Sequence, residues 1–314
     1  MTITQLNYVL AIAEHKNFTK AAEKCFVTQP TLSTQIQKLE EELDVLIFDR
    51  SKKPIELTDV GRKIVLQAKN IVNESERIQD IVDQQKGFIG GEFKIGIIPT
   101  VMPTLLPMFL KSFIKKYPKI KLSIEELTTE DIIARITDGH LDAAIASTPL
   151  EHPLLKERVL FYEPFVAYIT EEHRLFGKKE IQSEDLDLGD MLLLEDGHCF
   201  RDGVLNLCKS FKSHEDDQFQ LESGSIETLV RLSNEGLGMT LLPYLHTLEL
   251  DEGLKKNLHH FAEPTPAREV SIIHHKNELK VQIIDALYNV ISGIIRGAIA
   301  FQNVKIISPL SKKD

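Results

Sequence analysis

The chain has 314 residues, of which 42% are hydrophobic, with three cysteines and a formal charge of -10 at pH 7. This composition predicts a globular protein of two or more domains and excludes both a disulfide scaffold and a protein that coats nucleic acid nonspecifically. No apolar run is long enough to span a bilayer and the N-terminus lacks the features of a signal peptide, so we expect a cytoplasmic protein without membrane association.

Residues 1–58 carry the pattern of a small helical domain. Apolar residues recur at three- and four-residue spacing over residues 6–13, which is typical of a helix. A second, short helix is predicted to begin near Phe18, where the Asn17 side chain can accept hydrogen bonds from the first backbone amides. A third helix begins after Thr28, which is placed to act as its N-cap.

The third helix and the segment after it predict a winged helix-turn-helix. Pro30 suits the first helical turn, and apolar positions continue the helix to Leu39. Residues 50–54 indicate a turn between two strand-like runs, at 46–48 and 55–57. The predicted order is therefore helix, turn, helix, wing.

A single long helix is predicted for residues 59–88, which contain neither proline nor a strand signal. Positions along it step by four and three residues in alternation, as in a heptad seam: Ile64, Ala68, Ile71, Ser75, Ile78 and Val82. Such a seam predicts a coiled-coil linker that pairs with a second copy of the chain. The polar Ser75 leaves a second interpretation open, a helix that packs on its own domain.

Residues 91–302 predict an α/β domain with a mainly parallel sheet, because short apolar runs alternate with helical segments. The predicted strands are 93–98, 121–127, 143–146, 165–169, 191–194, 218–221, 239–242 and 270–273, and the predicted helices are 103–116, 131–138, 200–211, 226–235 and 281–297.

Two groups of strands in this domain predict two lobes, in an arrangement like that of periplasmic binding proteins. Lobe I comprises residues 91–163 and 268–302, and lobe II comprises residues 164–267. The chain is expected to cross between them near Glu163 and near Ala267. A ligand is expected in the cleft between the lobes.

Several segments of this sequence carry a family resemblance. Residues 17–24, 28–40, 46–50 and 57–61 are similar to the winged helix-turn-helix of LysR-type regulators, and residues 138–145 and 234–239 resemble the regulatory domain of the same family. The resemblance spans the whole chain. It implies a transcription regulator that binds double-stranded promoter DNA as a homodimer or homotetramer and has RNA polymerase as a partner.

The recognition helix of such a motif presents its N-terminal residues to base edges in the major groove. The candidate DNA-contacting residues of this helix are Thr28, Gln29, Pro30, Thr31, Ser33, Thr34, Gln35 and Lys38. Arg50, Lys52 and Lys53 on the wing suit the flanking phosphates. Many family members carry arginine where Thr34 stands, which leaves the base preference open. The alternative for the motif is a helical hairpin that contacts protein.

Residues 197–202, followed by Cys208, resemble the redox centre of the OxyR peroxide sensors within that family. Peroxide reacts with a thiolate, which a cation and a helix N-terminus both favour. Cys199 has His198 before it, Arg201 two residues later and a predicted helix start, so we expect it to form a sulfenic acid with peroxide. Cys208 lies among apolar residues and is expected to resolve that species into a disulfide. The alternative is a pair of inert core cysteines.

The spacing of the two cysteines predicts a conformational switch. Nine residues of α-helix separate two Cα atoms by roughly 13.5 Å along the axis, whereas a disulfide needs Cα atoms within about 7 Å. If residues 200–211 are helical in the reduced protein, the segment 199–208 must refold before the bond can form.

Further candidate residues are predicted around the reactive thiol. Thr100 and Thr129 follow strands at their carboxyl ends, and the resemblance implies that their hydroxyls bind peroxide; without it, a threonine after a strand is more often a helix cap. Asp202 can orient the nearby histidine or arginine, or favour the start of the helix. Arg268 is a further candidate partner of the thiolate.

The leading hypothesis is a regulator of antioxidant genes, not an enzyme, that consumes peroxide only as a signal and is reset by cellular thiol reductants. A regulator that responds to a small metabolite, with incidental cysteines, and a thiol peroxidase are the alternatives. A solute-binding protein would explain the lobes but not the lack of a signal peptide. Cys25 is interpreted as packing, and the histidine pairs lack the spacing of a metal site, so neither metal nor cofactor is expected.

Overall fold

The computed structural model describes residues 1–85, 89–208, 223–299 and 303–310. The chain divides into two compact units, Met1–Phe88 and Ile89–Asp314, each with its own hydrophobic core. None of the helices within the described ranges combines the length and apolar character needed to span a bilayer.

The first unit is the predicted winged helix-turn-helix followed by a long helix. Its elements in chain order are α1 (Ile3–His15), α2 (Phe18–Lys24), α3 (Gln29–Leu43), β1 (Phe48–Asp49), β2 (Glu56–Leu57) and α4 (Asp59–Gln85). Thr2, Asn17 and Thr28 cap the first three helices, each accepting a hydrogen bond from a backbone amide of the first turn. The two strands of the wing pair in antiparallel fashion.

Glu40 of α3 fixes the wing to the helix before it. Its buried carboxylate accepts the backbone amides of Ile47 at 2.8 Å and Phe48 at 3.2 Å, and the guanidinium of Arg50 at 2.8 Å. A buried charge is stable only when it is hydrogen-bonded in this way. The orientation of the wing therefore depends on one side chain of α3.

The burial of the predicted seam positions differs along α4. Ala68 and Val72 are buried against Leu6 of α1, so this part packs on its own unit. Ile78 and Val82, further along the predicted seam, are 65% and 38% exposed. Pairing with a second copy through these positions stays a prediction. The predicted end of the helix at residues 86–88 lies outside the described residues.

The second unit is an α/β domain with a mixed sheet. Its elements are β3 (Gly91–Ile97), α5 (Met102–Lys116), β4 (Ile120–Glu126), α6 (Thr129–Thr137), β5 (Ala143–Thr148), β6 (Leu155–Tyr168), α7 (Cys199–Leu207), α8 (Ile226–Asn234), β7 (Thr240–Pro243), α9 (Tyr244–Thr247), α10 (Glu252–Lys255), β8 (Leu258–His260), β9 (Thr265–His275), α11 (Val281–Ala298) and β10 (Val304–Ile306).

The strand order is β4-β3-β5-β9-β6-β7, with β8 on β6 and β10 on β9. Strand β3 runs parallel to β4 and β5, but β9 is antiparallel to both β5 and β6. The expectation of a mainly parallel sheet was therefore wrong. The reason is that β6 carries the chain out of lobe I and β9 returns it, so these long strands run in opposite directions.

Each lobe has its own hydrophobic cluster, and β6 and β9 pass between them. One cluster includes Phe93, Phe109 and Ile272, and the other includes Tyr168 and Met239. The two crossing strands pair from Leu155–His275 to Pro164–Ala267, and the last pairs of this register lie where the chain passes from the lobe I cluster to the lobe II cluster.

Three predicted elements either differ from the structure or extend into residues that it does not describe. Residues 191–194 form no strand among the described residues, because only an isolated bridge joins Met191 to Met239. The strand predicted at 218–221 lies outside the described residues, as does the end of the helix predicted to reach residue 211.

Phe26 gives a test of backbone strain in the first unit. It lies in the turn between α2 and α3 with φ of 55° and a side chain that is 95% exposed. A residue with a Cβ is disfavoured in this region and glycine is not, and the exposed ring contributes little packing. We expect Phe26→Gly to raise the free energy of unfolding by about 0.5 to 1 kcal/mol, as measured by denaturant unfolding of the full chain.

Lys20→Gly is the matched control for this measurement. Lys20 is exposed in α2, where glycine lowers helix stability by about 1 kcal/mol. Equal destabilisation by both substitutions would show that Phe26 is not strained.

Candidate functional site

Cys199 begins α7 and reaches across to α6. Its thiol is buried and lies 3.0 Å from the hydroxyl of Thr129, the first residue of α6. The preceding residue, Thr128, caps α6 instead, accepting the backbone amide of Asp131. Thr129 is therefore not the helix cap that its position after a strand also allowed, and its hydroxyl faces the sulfur.

Thr100 joins the same site through Arg268. The Arg268 guanidinium donates from Nη1 to the Thr100 hydroxyl at 2.7 Å and from Nη2 to the Thr100 carbonyl at 3.0 Å. Thr100 caps no helix either, because the N-cap of α5 is Val101, which makes no side-chain hydrogen bond. Thr100, Thr129, Cys199 and Arg268, which were predicted from different parts of the sequence, thus lie around one place in the fold.

The residue after Cys199 ties the start of α7 to lobe II. The ring of Phe200 lies 5.0 Å from that of Phe165 and 5.0 Å from the guanidinium carbon of Arg268. Phe200 belongs to the lobe II cluster, whereas Cys199 belongs to that of lobe I. The first turn of α7 consequently bridges the two hydrophobic cores.

The electrostatic environment of Cys199 differs from the expected one. Burial raises the pKa of its thiol; the Thr129 hydroxyl, the charge of Arg268 and a backbone hydrogen bond from Ser147 oppose this, and Asp202 adds to it. The sequence predicted an acidified thiol from a nearby cation and a helix start. Because the sulfur is enclosed, desolvation outweighs the groups that favour the thiolate, and the net effect is a raised pKa.

Arg201 is not the cation that acts on the sulfur. Its guanidinium donates to the carbonyl of Leu194 at 3.0 Å and lies 2.8 Å from the carboxylate of Asp196. Among the described charged groups, Arg268 is the one whose positive charge lowers the pKa of Cys199. Proximity along the sequence pointed to Arg201, whereas the geometry of α7 turns that side chain away.

His198 and Asp202 lie on either side of Cys199 in the sequence. His198 is buried at the N-cap of α7, with Nε2 3.6 Å from the Glu195 carboxylate. Burial raises the pKa of Asp202, while the charges of Arg201 and His198 act to lower it. A direct role of either side chain toward peroxide stays a prediction.

Cys208 lies at the other end of α7, in a different environment. Burial, with a smaller effect from Asp187, raises the pKa of its thiol to about 12. Cys208 belongs to the lobe II cluster, and both thiols are free. The helix between them, Cys199–Leu207, separates their Cα atoms by roughly 13.5 Å at the ordinary helical rise.

The C-terminal segment holds the second half of α7, a contact that the sequence analysis missed. The Asn206 amide donates to the carbonyls of Ser308 and Leu310, at 2.9 Å each. Ile307 packs in the lobe II cluster with Cys208, next to β10, which pairs with β9. The apolar residues Val304, Ile306 and Ile307 were the sequence signal that could have indicated this strand.

Cys25 behaves as the packing residue that was predicted. It is half-buried against the core of the first unit, and burial raises the pKa of its thiol. Within the described ranges, no group of three His, Cys, Asp or Glu side chains is arranged to hold a metal ion.

The N-terminal half of α3 exposes a polar surface suited to DNA. Its exposed members are Thr28, Gln29, Pro30, Thr31, Thr34 and Lys38. Ser33 and Gln35 are half-buried, and Gln35 accepts from the amide of Gln5 at 3.4 Å. Gln35 is therefore turned partly toward its own unit, which leaves Gln29 as the exposed amide at the start of the helix.

Two of the three basic wing residues have acidic partners. Arg50 pairs with Glu40 at 2.8 Å, and Lys52 pairs with Glu56 at 2.6 Å. Lys53 is exposed at the tip of the wing. Because exposed pairs of this kind are weak, Lys52 can exchange its partner for a phosphate, whereas Arg50 also supports the fold through buried Glu40.

Comparison with known proteins gives matches along the whole chain. Residues 3–62 match the bacterial regulatory helix-turn-helix protein, lysR family, and residues 86–292 match the LysR substrate binding domain. The hydrogen peroxide-inducible genes activator of Dickeya chrysanthemi is 34% identical over 276 residues, covering 87% of this chain and 89% of the relative. The DNA-binding transcriptional dual regulator OxyR of Escherichia coli K12 is 36% identical over 245 residues, covering 78% and 80%.

Solved structures show the same likeness. A full-length cysteine-to-aspartate variant of OxyR from Pseudomonas aeruginosa has a TM-score of 0.75 and 34% identity, covering 93% of this chain and 98% of that one. An H2O2-bound mutant of OxyR from Corynebacterium glutamicum has a TM-score of 0.63 and 28% identity, covering 97% and 98%.

The hydrogen bond between Thr129 and Cys199 can be tested by the pH dependence of alkylation. A thiolate accepts from the hydroxyl, so Thr129→Val removes stabilisation of the anion and raises the pKa of Cys199 further. At pH values below the pKa of Cys199, we expect the thiol to react with iodoacetamide about fivefold more slowly, which corresponds to the free energy of one hydrogen bond. The pH profile of the reaction should move to higher pH. Mass spectrometry of the Cys199 peptide gives the rate.

Thr128→Val is the control, because it removes the cap of α6 but no contact with the sulfur. It should lower thermal stability and leave the pH profile in place. A profile that moves equally in both variants would assign the effect to α6 and not to the hydroxyl.

Proposed function

Because this chain belongs to the LysR family of bacterial regulatory helix-turn-helix proteins, we propose that it is a transcription regulator controlled by hydrogen peroxide. The observation that carries this proposal is the environment of Cys199, whose sulfur meets a threonine hydroxyl and the charge of Arg268 at one end of α7. The other end of the helix carries a second thiol. One relative is named a hydrogen peroxide-inducible genes activator, and another is named OxyR.

The first chemical step is the oxidation of Cys199. The thiol loses its proton and the sulfur attacks one peroxide oxygen, so that an S–O bond forms and the O–O bond breaks. The departing hydroxide takes up a proton, leaving a sulfenic acid and one water. The Thr129 and Thr100 hydroxyls would bind the peroxide and Arg268 would stabilise the anionic sulfur; the contacts of Thr129 with Cys199 and of Thr100 with Arg268 support these roles.

The second step joins the two cysteines. The Cys208 sulfur attacks the sulfenic sulfur, and a disulfide forms with loss of a second water. A helix that separates the Cα atoms by roughly 13.5 Å cannot hold this bond, which needs about 7 Å, so α7 must unwind. Unwinding also breaks the Asn206 contacts with the C-terminal segment. Cellular thiol reductants return two electrons and two protons and restore the helix.

The refolding is what the DNA-binding unit would detect. In a homodimer or homotetramer, a change of lobe packing alters the spacing of paired recognition helices on double-stranded promoter DNA, and so changes RNA polymerase recruitment at antioxidant genes. The exposed start of α3, led by Gln29, would meet the bases.

The redox mechanism is tested by mass spectrometry of the protein after a brief pulse of micromolar peroxide. We expect a 199–208 disulfide in the wild type, a trapped sulfenic acid in Cys208→Ser and no promoter response in Cys199→Ser. Cys25→Ser is the matched control and should respond normally, because its thiol packs in the first unit. A normal response of Cys199→Ser would exclude peroxide sensing at this site and favour a metabolite-responsive regulator.

DNA recognition is tested by binding of the full chain to its promoter. An amide paired to adenine contributes about 1 to 3 kcal/mol, so Gln29→Ala should weaken specific binding by about fivefold to a hundredfold. Gln37→Ala serves as a control, since this amide bonds Glu41 along the helix. Equal affinities for Gln29→Ala and the wild type would place the base contacts elsewhere.

A further inference from the structure

Glu163 binds Arg268 and is not among the groups that act directly on the Cys199 thiol. Its Oε2 accepts from Arg268 Nε at 2.9 Å and from Nη2 at 2.6 Å. Its Oε1 accepts the backbone amide of Leu245 in α9 at 2.9 Å. The carboxylate is 1% exposed and the guanidinium 2%, and the two residues are paired across β6 and β9.

These contacts give Glu163 two effects on Arg268. The two-point hydrogen bond and the Leu245 amide fix the carboxylate, and through it the plane of the guanidinium. The negative charge also cancels part of the field that Arg268 exerts on its surroundings, because the pair is enclosed and poorly screened by water. Arg268 is the cation that favours the Cys199 thiolate. Glu163 therefore affects the sulfur indirectly, through Arg268.

We propose that Glu163 is a positioning residue that holds Arg268 beside Cys199 and limits the positive charge that the sulfur meets. Resting on the proposed function, this inference assigns Glu163 a part in setting the peroxide concentration at which the sensor responds. An unopposed arginine would give a larger thiolate fraction and a sensor that reacts with traces of peroxide. With the carboxylate in place the thiolate fraction is smaller, so a higher peroxide concentration is needed for the same rate of oxidation.

The charged groups around the pair make the sign of this effect definite. Around the sulfur, Arg268 comes from β9 and Asp202 from α7, while α6 and β5 contribute the Thr129 hydroxyl and the Ser147 backbone. His246 of α9, next to Leu245, also interacts with Glu163, and burial lowers the pKa of its ring. Neutralising Glu163 therefore adds net positive charge to the site and favours the thiolate.

The test is the pH profile of Cys199 alkylation by iodoacetamide in the full chain, followed on the Cys199 peptide. Glu163→Gln keeps the size of the side chain and removes its charge. We expect the midpoint to move to lower pH and the rate at pH 7 to rise at least about threefold, given that one pH unit is a tenfold change in thiolate fraction. The peroxide dose for half-oxidation should fall in the same variant.

Glu157→Gln is the matched control. Glu157 lies on the same strand and accepts the backbone amide of Leu150, so it reproduces the loss of a carboxylate without touching Arg268. Its profile should coincide with the wild type. Where Glu163→Gln does not fold, Glu163→Asp keeps the charge but withdraws it from Arg268, and the midpoint should move in the same direction by less.

A midpoint that stays in place or moves to higher pH in a folded Glu163 variant overturns the proposal. Lower thermal stability with an unmoved profile assigns Glu163 a purely structural role and likewise overturns it. Alkylation uses no peroxide, so this outcome is separate from a failure of peroxide to oxidise Cys199, which would refute the proposed function instead.

Discussion

The ion pair between Arg268 and Glu163 is the interaction on which the second unit depends. It joins the two strands that pass between the lobes, at a point where neither charge is accessible to water. The same guanidinium holds the turn after β3 through Thr100 and packs on Phe200 at the start of α7. A buried ion pair adds little net stability compared with apolar residues, but loss of one partner is costly. Its value here is geometric, since four elements take their positions from one side chain.

The contact between Arg268 and Phe200 holds the start of α7 between the two lobes. Cys199 enters the lobe I core, Phe200 enters the lobe II core, and Cys208 closes the helix within lobe II. A helix anchored in this way has few intermediate positions, because close-packed interiors do not deform continuously. Two discrete arrangements of the segment are what a chemical signal needs if it is to change the whole domain.

Local rules predicted much of the fold, and long-range contacts account for most of the differences. The caps at Asn17 and Thr28 and the wing follow from side chains within a few residues of each other. The family resemblance, rather than periodicity, brought Thr100 and Thr129 to the thiol. The cation at the sulfur was misassigned to Arg201, because spacing along the chain cannot show which way the first turn of a helix faces. Glu163 and Asn206 act through residues about a hundred positions away, and no local pattern marks them.

The cysteines at the two ends of α7 also have a consequence for the energetics of resetting the proposed switch. A disulfide that can exist only when the helix is unwound carries the free energy of the lost packing, and that cost raises its reduction potential. About 1.4 kcal/mol of lost native structure corresponds to about 30 mV for a two-electron couple. The free energy of refolding α7 thus favours reduction of the disulfide by cellular thiol reductants once peroxide is gone, and the potential of the pair rises with the packing energy of α7.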